Sequence, residues 1–224
     1  MITLNSISKK YSKVIGLEQV NIDLPKNNVI GLIGKNGSGK STFIKIITGL
    51  ITDYKGNVNY NGLKLNEISL ASENFGFPSR FTVKKVIKIF KFIKKADNQQ
   101  VEKVIEQLEL CDELNKKVSV LSQGNKQRLN IACAILGNPK LVILDEPNNG
   151  LDPSGFIMLR QLVLDLKAKG KTVIIASHLL NEIEEVCDHI LFLNEGRVLI
   201  DEKKSELVKS FGSLEKAYLQ LIKN

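Results

Sequence analysis

The amino-acid sequence predicts an α/β fold with a mostly parallel sheet, an N-terminal antiparallel β subdomain and an inserted α-helical subdomain over about residues 82–137. Three observations predict it. The opening third of the chain carries strand-like patterns, the middle changes to a helical period, and the last part alternates strands with helices. Helices between successive strands imply a parallel sheet. A chain of 224 residues can bury a sizeable core, and we expect residues 1–224 to form a single domain.

Three segments near the N-terminus have the patterns of strands. Val20, Ile22 and Leu24 alternate with other residues, as in a half-buried antiparallel strand. Residues 28–34 are almost continuously apolar, which is typical of a strand buried on both faces. Residues 56–62 begin and end with glycine, and we predict another short strand there.

Apolar residues follow a helical spacing after residue 82. The first stripe consists of Val83, Val86, Ile87, Phe90 and Ile93, and the second of Val101, Val104, Ile105 and Leu108. Both stripes predict helices that bury these side chains. A third helix is predicted after Ser122, and the turn at 137–139 ends it. Its apolar positions are Leu129, Ile131, Ala132, Ile135 and Leu136.

Strands and helices alternate from residue 140 onward. Helices are predicted to start at Pro153 and near Leu179, and further helices close the chain. The predicted strands are 140–145, 171–176, 189–194 and 197–201.

Much of the formal net charge of +8 comes from lysines in residues 83–95. Three interpretations are open: a solvated lysine-rich face, a surface near an anionic inner leaflet, or a nucleic-acid surface. The chain has few aromatic residues for base stacking and no nucleic-acid-binding motif. The solvated face is therefore favoured, and no nucleic-acid partner is expected.

The composition also bears on the cellular compartment. No apolar run approaches the ~18 residues that span a bilayer, and the first ten residues lack the apolar centre of a secretory signal. We therefore expect a cytosolic chain. Cys111, Cys133 and Cys187 form no CxxC motif and are interpreted as reduced and partly buried. His178 and His189 are too few and too scattered for a metal cluster.

A glycine-rich segment follows the apolar strand 28–34 and opens a helix. Residues 34–41, GKNGSGKS, fit the pattern G-x-x-x-x-G-K-[ST] in its strand–loop–helix context. Glycines let backbone N–H groups turn inward around phosphate oxygens, and the helix dipole adds to the attraction. Lys40 would reach the β- and γ-phosphates, and Ser41 would bind Mg²⁺. A chance glycine-rich turn is the alternative, but the context favours a P-loop NTPase core.

The strand 140–145 ends in two acidic residues. Asp145 is placed to hold the Mg²⁺ shell, and Glu146 could orient or deprotonate an attacking water. Paired acids can also simply cap a strand end. His178 lies at a later strand–helix corner, behind Ser177 as the expected helix cap. Ligands bind at that edge of open α/β sheets, so we expect His178 to contact the γ-phosphate rather than to be structural.

The stretch LSQGN at 121–125 is not explained by a single phosphate site. Ser122 as an N-cap, with free N–H groups behind it, would form an anion-binding helix end. If this end does not bind the chain's own nucleotide, it can bind a partner's.

These motifs, in this order, resemble the ATP-binding subunit of ABC transporters along essentially the whole chain. The resemblance implies ATP and Mg²⁺ as ligands. It also implies two subunits packed head to tail, each closing its signature motif over the other's ATP. The phosphate loop of the family matches Gly34, Lys35, Asn36, Gly37, Ser38, Gly39, Lys40, Ser41 and Thr42.

The same resemblance implies roles for residues outside the phosphate loop. Asp145 matches the Mg²⁺ aspartate, and Glu146 matches the catalytic glutamate. His178 matches the switch histidine. Tyr11 matches the aromatic residue that stacks on adenine, in a loose motif where a plain surface tyrosine is the alternative.

The signature segment matches the family in part. Ser122 and Gly124 are kept, while Gln123 and Asn125 depart from the usual LSGGQ. Asp152, in NNGLDP, matches the aspartate that links the two sites across the dimer.

Two further positions depart from common members. Glu73 lies where many members have a Mg²⁺-linked glutamine, and Asn148 lies where threonine is common. The loop glutamate with LSxG-x-KQR is similar to the bacitracin-resistance and lantibiotic-immunity type. Because glutamate is also an oxygen ligand, activity is expected, and Ser41, Asp145 and Glu73 are the candidate metal ligands.

The leading hypothesis is therefore an ATP-hydrolysing subunit that drives a separate integral membrane permease. It would sit on the cytoplasmic face of the cell membrane through that permease, with a second copy as its partner. Peptide-antibiotic export or immunity is the family-level expectation. The alternatives are a soluble ABC ATPase acting on ribosomes or DNA, and a regulatory subunit that does not hydrolyse ATP.

Overall fold

The computed structural model describes residues 1–73 and 76–222. The strands are β1 (Ile2–Tyr11), β2 (Val14–Leu24), β3 (Val29–Ile33), β4 (Lys55–Asn59), β5 (Ile68–Ala71), β6 (Leu141–Asp145), β7 (Thr172–Ser177), β8 (His189–Asn194) and β9 (Arg197–Lys203). The helices are α1 (Lys40–Ile47), α2 (Val83–Lys94), α3 (Asn98–Gln107), α4 (Gln123–Ile135), α5 (Pro153–Ala168), α6 (Leu180–Val186), α7 (Lys204–Phe211) and α8 (Leu214–Ile222).

The strands form two sheets. A three-stranded antiparallel sheet has the order β2-β1-β4, and a six-stranded sheet has the order β5-β6-β7-β3-β8-β9. In the larger sheet only β9 runs antiparallel to its neighbour. The predicted combination of an N-terminal antiparallel unit and a mostly parallel sheet is confirmed. Because β3, β6 and β7 are parallel neighbours, the residues that follow them meet at one edge.

The inner strands β3, β6 and β7 of the larger sheet are buried on both faces. Along β3, Val29 and Ile33 join a core with α2–α6, whereas Ile30 and Leu32 join a core with α1 and the antiparallel sheet. A strand whose successive side chains enter two different cores has no solvated face, which explains its continuous apolar sequence. This rigid sheet positions the loops at its carboxyl edge.

Helices α2, α3 and α4 lie between β5 and β6 in the chain. Each has a side-chain N-cap, and these caps are Thr82, Asp97 and Ser122. Helix α4 is buried along almost all of its length, because it packs between α2, α3 and the sheet. The prediction for α2 was wrong at one position: Ile93 is 62% exposed, because it lies about 80° around the helix from Val83, and Lys94 takes the inward position of the last turn.

Other details also differ from the sequence prediction. The strand predicted at 56–62 ends at Asn59, because a turn follows in which Leu63 N–H donates to the Tyr60 carbonyl. Cys111 is exposed, while Cys133 and Cys187 are buried as expected. Leu179, not Ser177, is the N-cap of α6. Within the described residues, no helix combines the length and apolarity that crossing a bilayer requires.

Candidate nucleotide site

The loop between β3 and α1 is built on glycine. Gly39 is the N-cap of α1 in the left-handed region, with φ of 110°. A Cβ at Gly39 would lie 2.5 Å from the Gly16 carbonyl oxygen, so no other residue fits there. The result is a loop that wraps the N-terminal end of α1, where free N–H groups attract anions.

Lys40 is buried in this loop. Its Nζ donates to the Gly34 carbonyl and lies 3.9 Å from Glu146 Oε1. Burial lowers the pKa of Lys40, while the nearby carboxylates, Glu146 foremost, oppose that shift. Ser38 Oγ is also buried and has no hydrogen-bond partner among the described residues. A phosphate oxygen would satisfy both the cation and the orphaned hydroxyl.

The two acids after β6 occupy different environments. Burial, followed by the charges of Glu146 and Glu73, raises the pKa of Asp145 to about 6. Glu146 adopts a left-handed backbone with φ of 47°, and its N–H donates to the Ala176 carbonyl at 2.8 Å. A non-glycine residue in this region carries strain that functional sites often retain. The turn directs the Glu146 side chain toward Lys40 rather than along the strand.

His178 contacts the same carboxylate. Its Nδ1 lies 2.9 Å from Glu146 Oε2, and its side chain is half-exposed. The corner that carries it is held by Ser177 Oγ, which accepts a hydrogen bond from Leu179 N–H at 3.0 Å. Glu146 therefore lies between Lys40 on one side and His178 on the other.

A residue that sequence reasoning missed joins Glu73 to this group. Asn149 Nδ2 donates to Glu73 Oε1 at 3.0 Å. Both side chains line the cleft with the acids, although they are far apart in sequence. The available signal was position alone, because Asn149 follows shortly after the acidic strand end at Glu146.

Most of the predicted nucleotide residues line one open cleft of about 400 Å³, while Gly34 and Ser38 are buried within the phosphate loop. Tyr11 lies at its rim, stacked so closely on Gly16 that a Cβ there would come within 2.8 Å of the ring. Sequence reasoning also missed Val14 and Ile15, two exposed apolar residues beside Tyr11. Tyr11, Val14 and Ile15 form an apolar ledge beside the polar phosphate loop. This arrangement matches a nucleotide, which has a flat base at one end and charged phosphates at the other. The cleft is lined by Tyr11, Val14, Ile15, Gly16, Lys35, Asn36, Gly37, Gly39, Lys40, Ser41, Thr42, Glu73, Asp145, Glu146, Asn149 and His178.

Ser122, Gly124 and Asp152 lie outside that cleft. Ser122 is exposed at the start of α4, and its Oγ accepts from Asn125 N–H at 3.1 Å. Asp152 caps α5 by accepting from Gly155 N–H at 2.9 Å. Hydrogen bonds from Ser154 and then Gly155 lower the pKa of Asp152.

The signature segment and the loop after β6 touch within this chain. A Cβ on Gly124 would lie 2.7 Å from the Gly150 carbonyl oxygen. Arg128, a turn further along α4, lies with Nη2 3.6 Å from Asp152 Oδ1 and also binds Glu109. The close approach of Gly124 to Gly150, the Gln123 side chain packed on Gly150 and the buried Arg128 hold these segments together.

The donors present fit Mg²⁺ bound with a nucleotide. Mg²⁺ prefers oxygen ligands and is usually held by one or two carboxylates plus substrate phosphates. The carboxyl groups of Asp145 and Glu73 line the cleft together with the Ser41 hydroxyl, and the pKa of Asp145 is raised. Among the residues that the structure describes, no group of three or more histidine, cysteine or acidic side chains gathers to hold a metal. The phosphate oxygens would therefore complete the coordination.

Comparison with protein families decides the identity of this fold. The ABC transporter family model matches residues 17–149, which include the phosphate loop, the signature segment and both acids. The chain belongs to the ABC transporter family. As its ATP-binding member, it is an ATPase, and the predicted fold and activity are confirmed.

Named relatives indicate which type of ABC ATPase this chain resembles. It is 34% identical over 208 residues to the lantibiotic transport ATP-binding protein SrtF of Streptococcus pyogenes, covering 91% of each chain. It is 35% identical over 209 residues to the bacitracin transport ATP-binding protein BcrA of Bacillus licheniformis, covering 89% of this chain and 68% of the relative. The predicted similarity to the bacitracin and lantibiotic type is confirmed.

The fold matches that of a known ABC dimer. A dimeric structure of a post-hydrolysis state of the ATP-binding cassette MJ0796, bound to ADP and Pi, has a TM-score of 0.82. The two share 26% sequence identity, and the match covers 91% of this chain and 98% of that one.

Proposed function

We propose that this ABC ATPase hydrolyses ATP at composite sites between two copies and so drives a separate membrane permease for a peptide antibiotic. The observation that carries the proposal is the separation of the two halves. The cleft gathers the exposed part of the predicted phosphate loop with Tyr11, whereas Ser122, Gly124 and Asp152 lie elsewhere at the surface. An exposed helix N-terminus suits a phosphate that arrives on another subunit.

In this proposal different residues of the chain contact the adenine, the phosphates and the Mg²⁺ of the bound ATP. Tyr11 stacks on adenine at the apolar ledge. The glycine-rich loop and Lys40 hold the β- and γ-phosphates, and Lys40 leaves the Gly34 carbonyl to do so. Ser41, Asp145 and Glu73 supply oxygen ligands for Mg²⁺, which neutralises phosphate charge when bound.

Glu146 is the proposed general base. It is buried, strained at its backbone, and in contact with His178, so its side chain is held in one orientation. Its carboxylate takes a proton from the attacking water, and His178 keeps that carboxylate aimed and contacts the γ-phosphate. The intact pair of Glu146 and His178 argues against a regulatory subunit without hydrolysis.

The permease and its cargo are inferred from relatives. The named relatives are a lantibiotic transport and a bacitracin transport ATP-binding protein, which supports peptide-antibiotic export or immunity for this chain. The permease would dock near Glu73 and the helical segment 82–137, on the cytoplasmic face of the membrane. No observation favours the alternative of a soluble ATPase acting on ribosomes or DNA.

Sedimentation of the full chain with and without ATP tests the composite site. The Glu146→Gln variant should bind ATP, hydrolyse it at least ~10²-fold more slowly, and form dimers that persist. The amide keeps the side-chain shape but cannot accept the proton. Lys40→Ala is the matched control, because it should lose ATP binding and remain monomeric. A Glu146→Gln chain that hydrolyses ATP within a few-fold of wild type would remove Glu146 from the catalytic role.

A further inference from the structure

The outward face of α2 carries an apolar ridge that no part of the described chain covers. Phe92 is 85% exposed and Ile93 is 62% exposed, and Ile89 lies beside them. Lys85, Ile89 and Phe92 follow the i, i+4, i+7 spacing of one helix face, opposite the buried Val83. Exposed apolar side chains that cluster on one face mark an interaction surface.

Basic residues surround this ridge without acidic ones. Between Glu73 and Asp97 the sequence contains Arg80 and six lysines but no Asp or Glu. Among the described residues, no carboxylate lies within ion-pair distance of those six lysines. The face therefore presents uncompensated positive charge around an apolar centre. The lysines are Lys84, Lys85, Lys88, Lys91, Lys94 and Lys95.

Several of these lysines are already oriented by the fold. Lys94 Nζ donates to Ser69 Oγ at 2.7 Å, and Lys85 Nζ lies 4.2 Å from the Phe81 ring centroid. Lys84 and Lys88 are exposed and have no such partner in the described chain. Lys84 and Lys88 thus keep free charges beside the ridge, while Lys85 and Lys94 contact other parts of the fold.

We propose that the outward face of α2, with Phe92 at its centre and lysines around it, binds the surface of an anionic lipid bilayer. Phe and Ile enter the headgroup boundary, and lysine stems lie along it with their ammonium groups at the phosphates. A convex helix with three apolar side chains suits a planar boundary. Ile89 and Ile93 would have no role against a nucleic-acid backbone. This face lies on the helical segment 82–137, near which the permease is proposed to dock, so the vesicles that test the bilayer contact contain no permease and the two proposals can fail separately.

Flotation of the full chain with phosphatidylcholine vesicles that contain phosphatidylglycerol tests the proposal. The wild type should bind these vesicles and not pure phosphatidylcholine, and salt should weaken the binding. The triple variant Lys84→Gln, Lys85→Gln, Lys88→Gln should lose on the order of 100-fold in partitioning, because each lysine contributes roughly fivefold. Phe92→Ser should lose about tenfold.

Matched controls separate this face from general charge and stickiness. The triple variant Lys26→Gln, Lys169→Gln, Lys209→Gln removes the same charge from exposed positions outside α2 and should bind like wild type. Ile157→Ser removes a 72% exposed apolar side chain on α5 and should also have no effect. Equal losses in the two triple variants would overturn the proposal.

A fluorescent probe at position 92 tests directly whether this face enters the bilayer, even if one of the variants used in flotation folds poorly. In a Cys111→Ser background, Phe92→Cys carries an environment-sensitive fluorophore, since Cys133 and Cys187 are buried. Its emission should shift to the blue on anionic vesicles, whereas a probe at Ile157→Cys should not respond. Absence of a shift would overturn the proposal. So would selective loss of RNA binding, with vesicle binding kept, in the α2 triple variant, because the face would then bind nucleic acid.

Discussion

Two substitutions at Ser122 separate its local role from its proposed role in a partner's site. Locally, Ser122 Oγ caps α4 through one exposed hydrogen bond of 3.1 Å to Asn125 N–H. Ser122→Ala removes that cap, which typically costs ~1 kcal/mol. In a domain of this size, such a loss lowers the melting temperature by roughly 2–4 °C. Ser122→Asp keeps the cap, because aspartate is as good an N-cap as serine.

The aspartate should nevertheless abolish the dimer. In a composite site its carboxylate would face the partner's γ-phosphate. Two unit charges about 4 Å apart repel by about 4 kcal/mol at an effective dielectric constant of 20, which is close to a thousandfold in association per site. The two variants therefore have opposite signatures: Ser122→Ala is less stable and still dimerises, whereas Ser122→Asp is stable and monomeric.

The assay combines thermal unfolding with sedimentation, in the Glu146→Gln background that accumulates the dimer. ATP binding to the monomer should be unchanged in Ser122→Asp, because Ser122 does not line the chain's own cleft. A Ser122→Asp chain that melts like its parent and also dimerises with ATP would refute the reasoning. Loss of monomer ATP binding would refute it too, because Ser122 would then belong to its own site.

Three further predictions concern other parts of the site. Glu73→Ala should impair permease-linked ATPase more than nucleotide affinity in reconstituted vesicles, and unaffected transport would show that Glu73 does not couple the two. Because the folded-state pKa of Asp145 is raised to about 6, its stability contribution should fall as pH rises from about 4 through 6. Asp145→Asn should remove that slope in thermal unfolding without ligand, and an unchanged slope would exclude Asp145 as its source. Gly124→Ala, whose methyl group would lie 2.7 Å from the Gly150 carbonyl, should lose about 1–3 kcal/mol and over tenfold in ATPase. Gly76→Ala, in open space, is its control, and equal effects would contradict the close-contact argument.

Sequence reasoning located elements where local chemistry fixes them. The strand at 189–194 was predicted at its observed bounds, and the helix that starts at Pro153 was predicted at its observed start. It missed β5 as a separate strand, since four residues are too short for a pattern to show. Ile93 was wrongly assigned to the core, because it lies at the margin of the apolar face and Lys94 takes the inward position beside it.

The candidate site likewise has parts that the sequence predicts and parts that it does not. The phosphate loop and the acids after β6 have spacings that sequence shows, and the parallel order of β3, β7 and β6 brings them together. The hydrogen bond between Asn149 and Glu73 could not be predicted, because it joins loops whose distance depends on the whole sheet. The near-contact of Gly124 with Gly150 could not be predicted either, since no local pattern shows that these two loops meet.

That glycine-to-glycine contact has a consequence for timing. In the proposed head-to-tail pair, the loop behind one subunit's Glu146 presses on the segment that covers the other subunit's ATP. Arg128 stiffens the same junction through Asp152. Any shift of that loop after hydrolysis would pass directly to the segment that covers the neighbouring ATP, because Gly124 lies against the Gly150 carbonyl with no room between them. The two ATP sites would then be coupled. ATP hydrolysis would depend cooperatively on the ATP concentration, with a Hill coefficient above one. Inserting flexible residues at Gly150 should let the two sites hydrolyse ATP independently of each other.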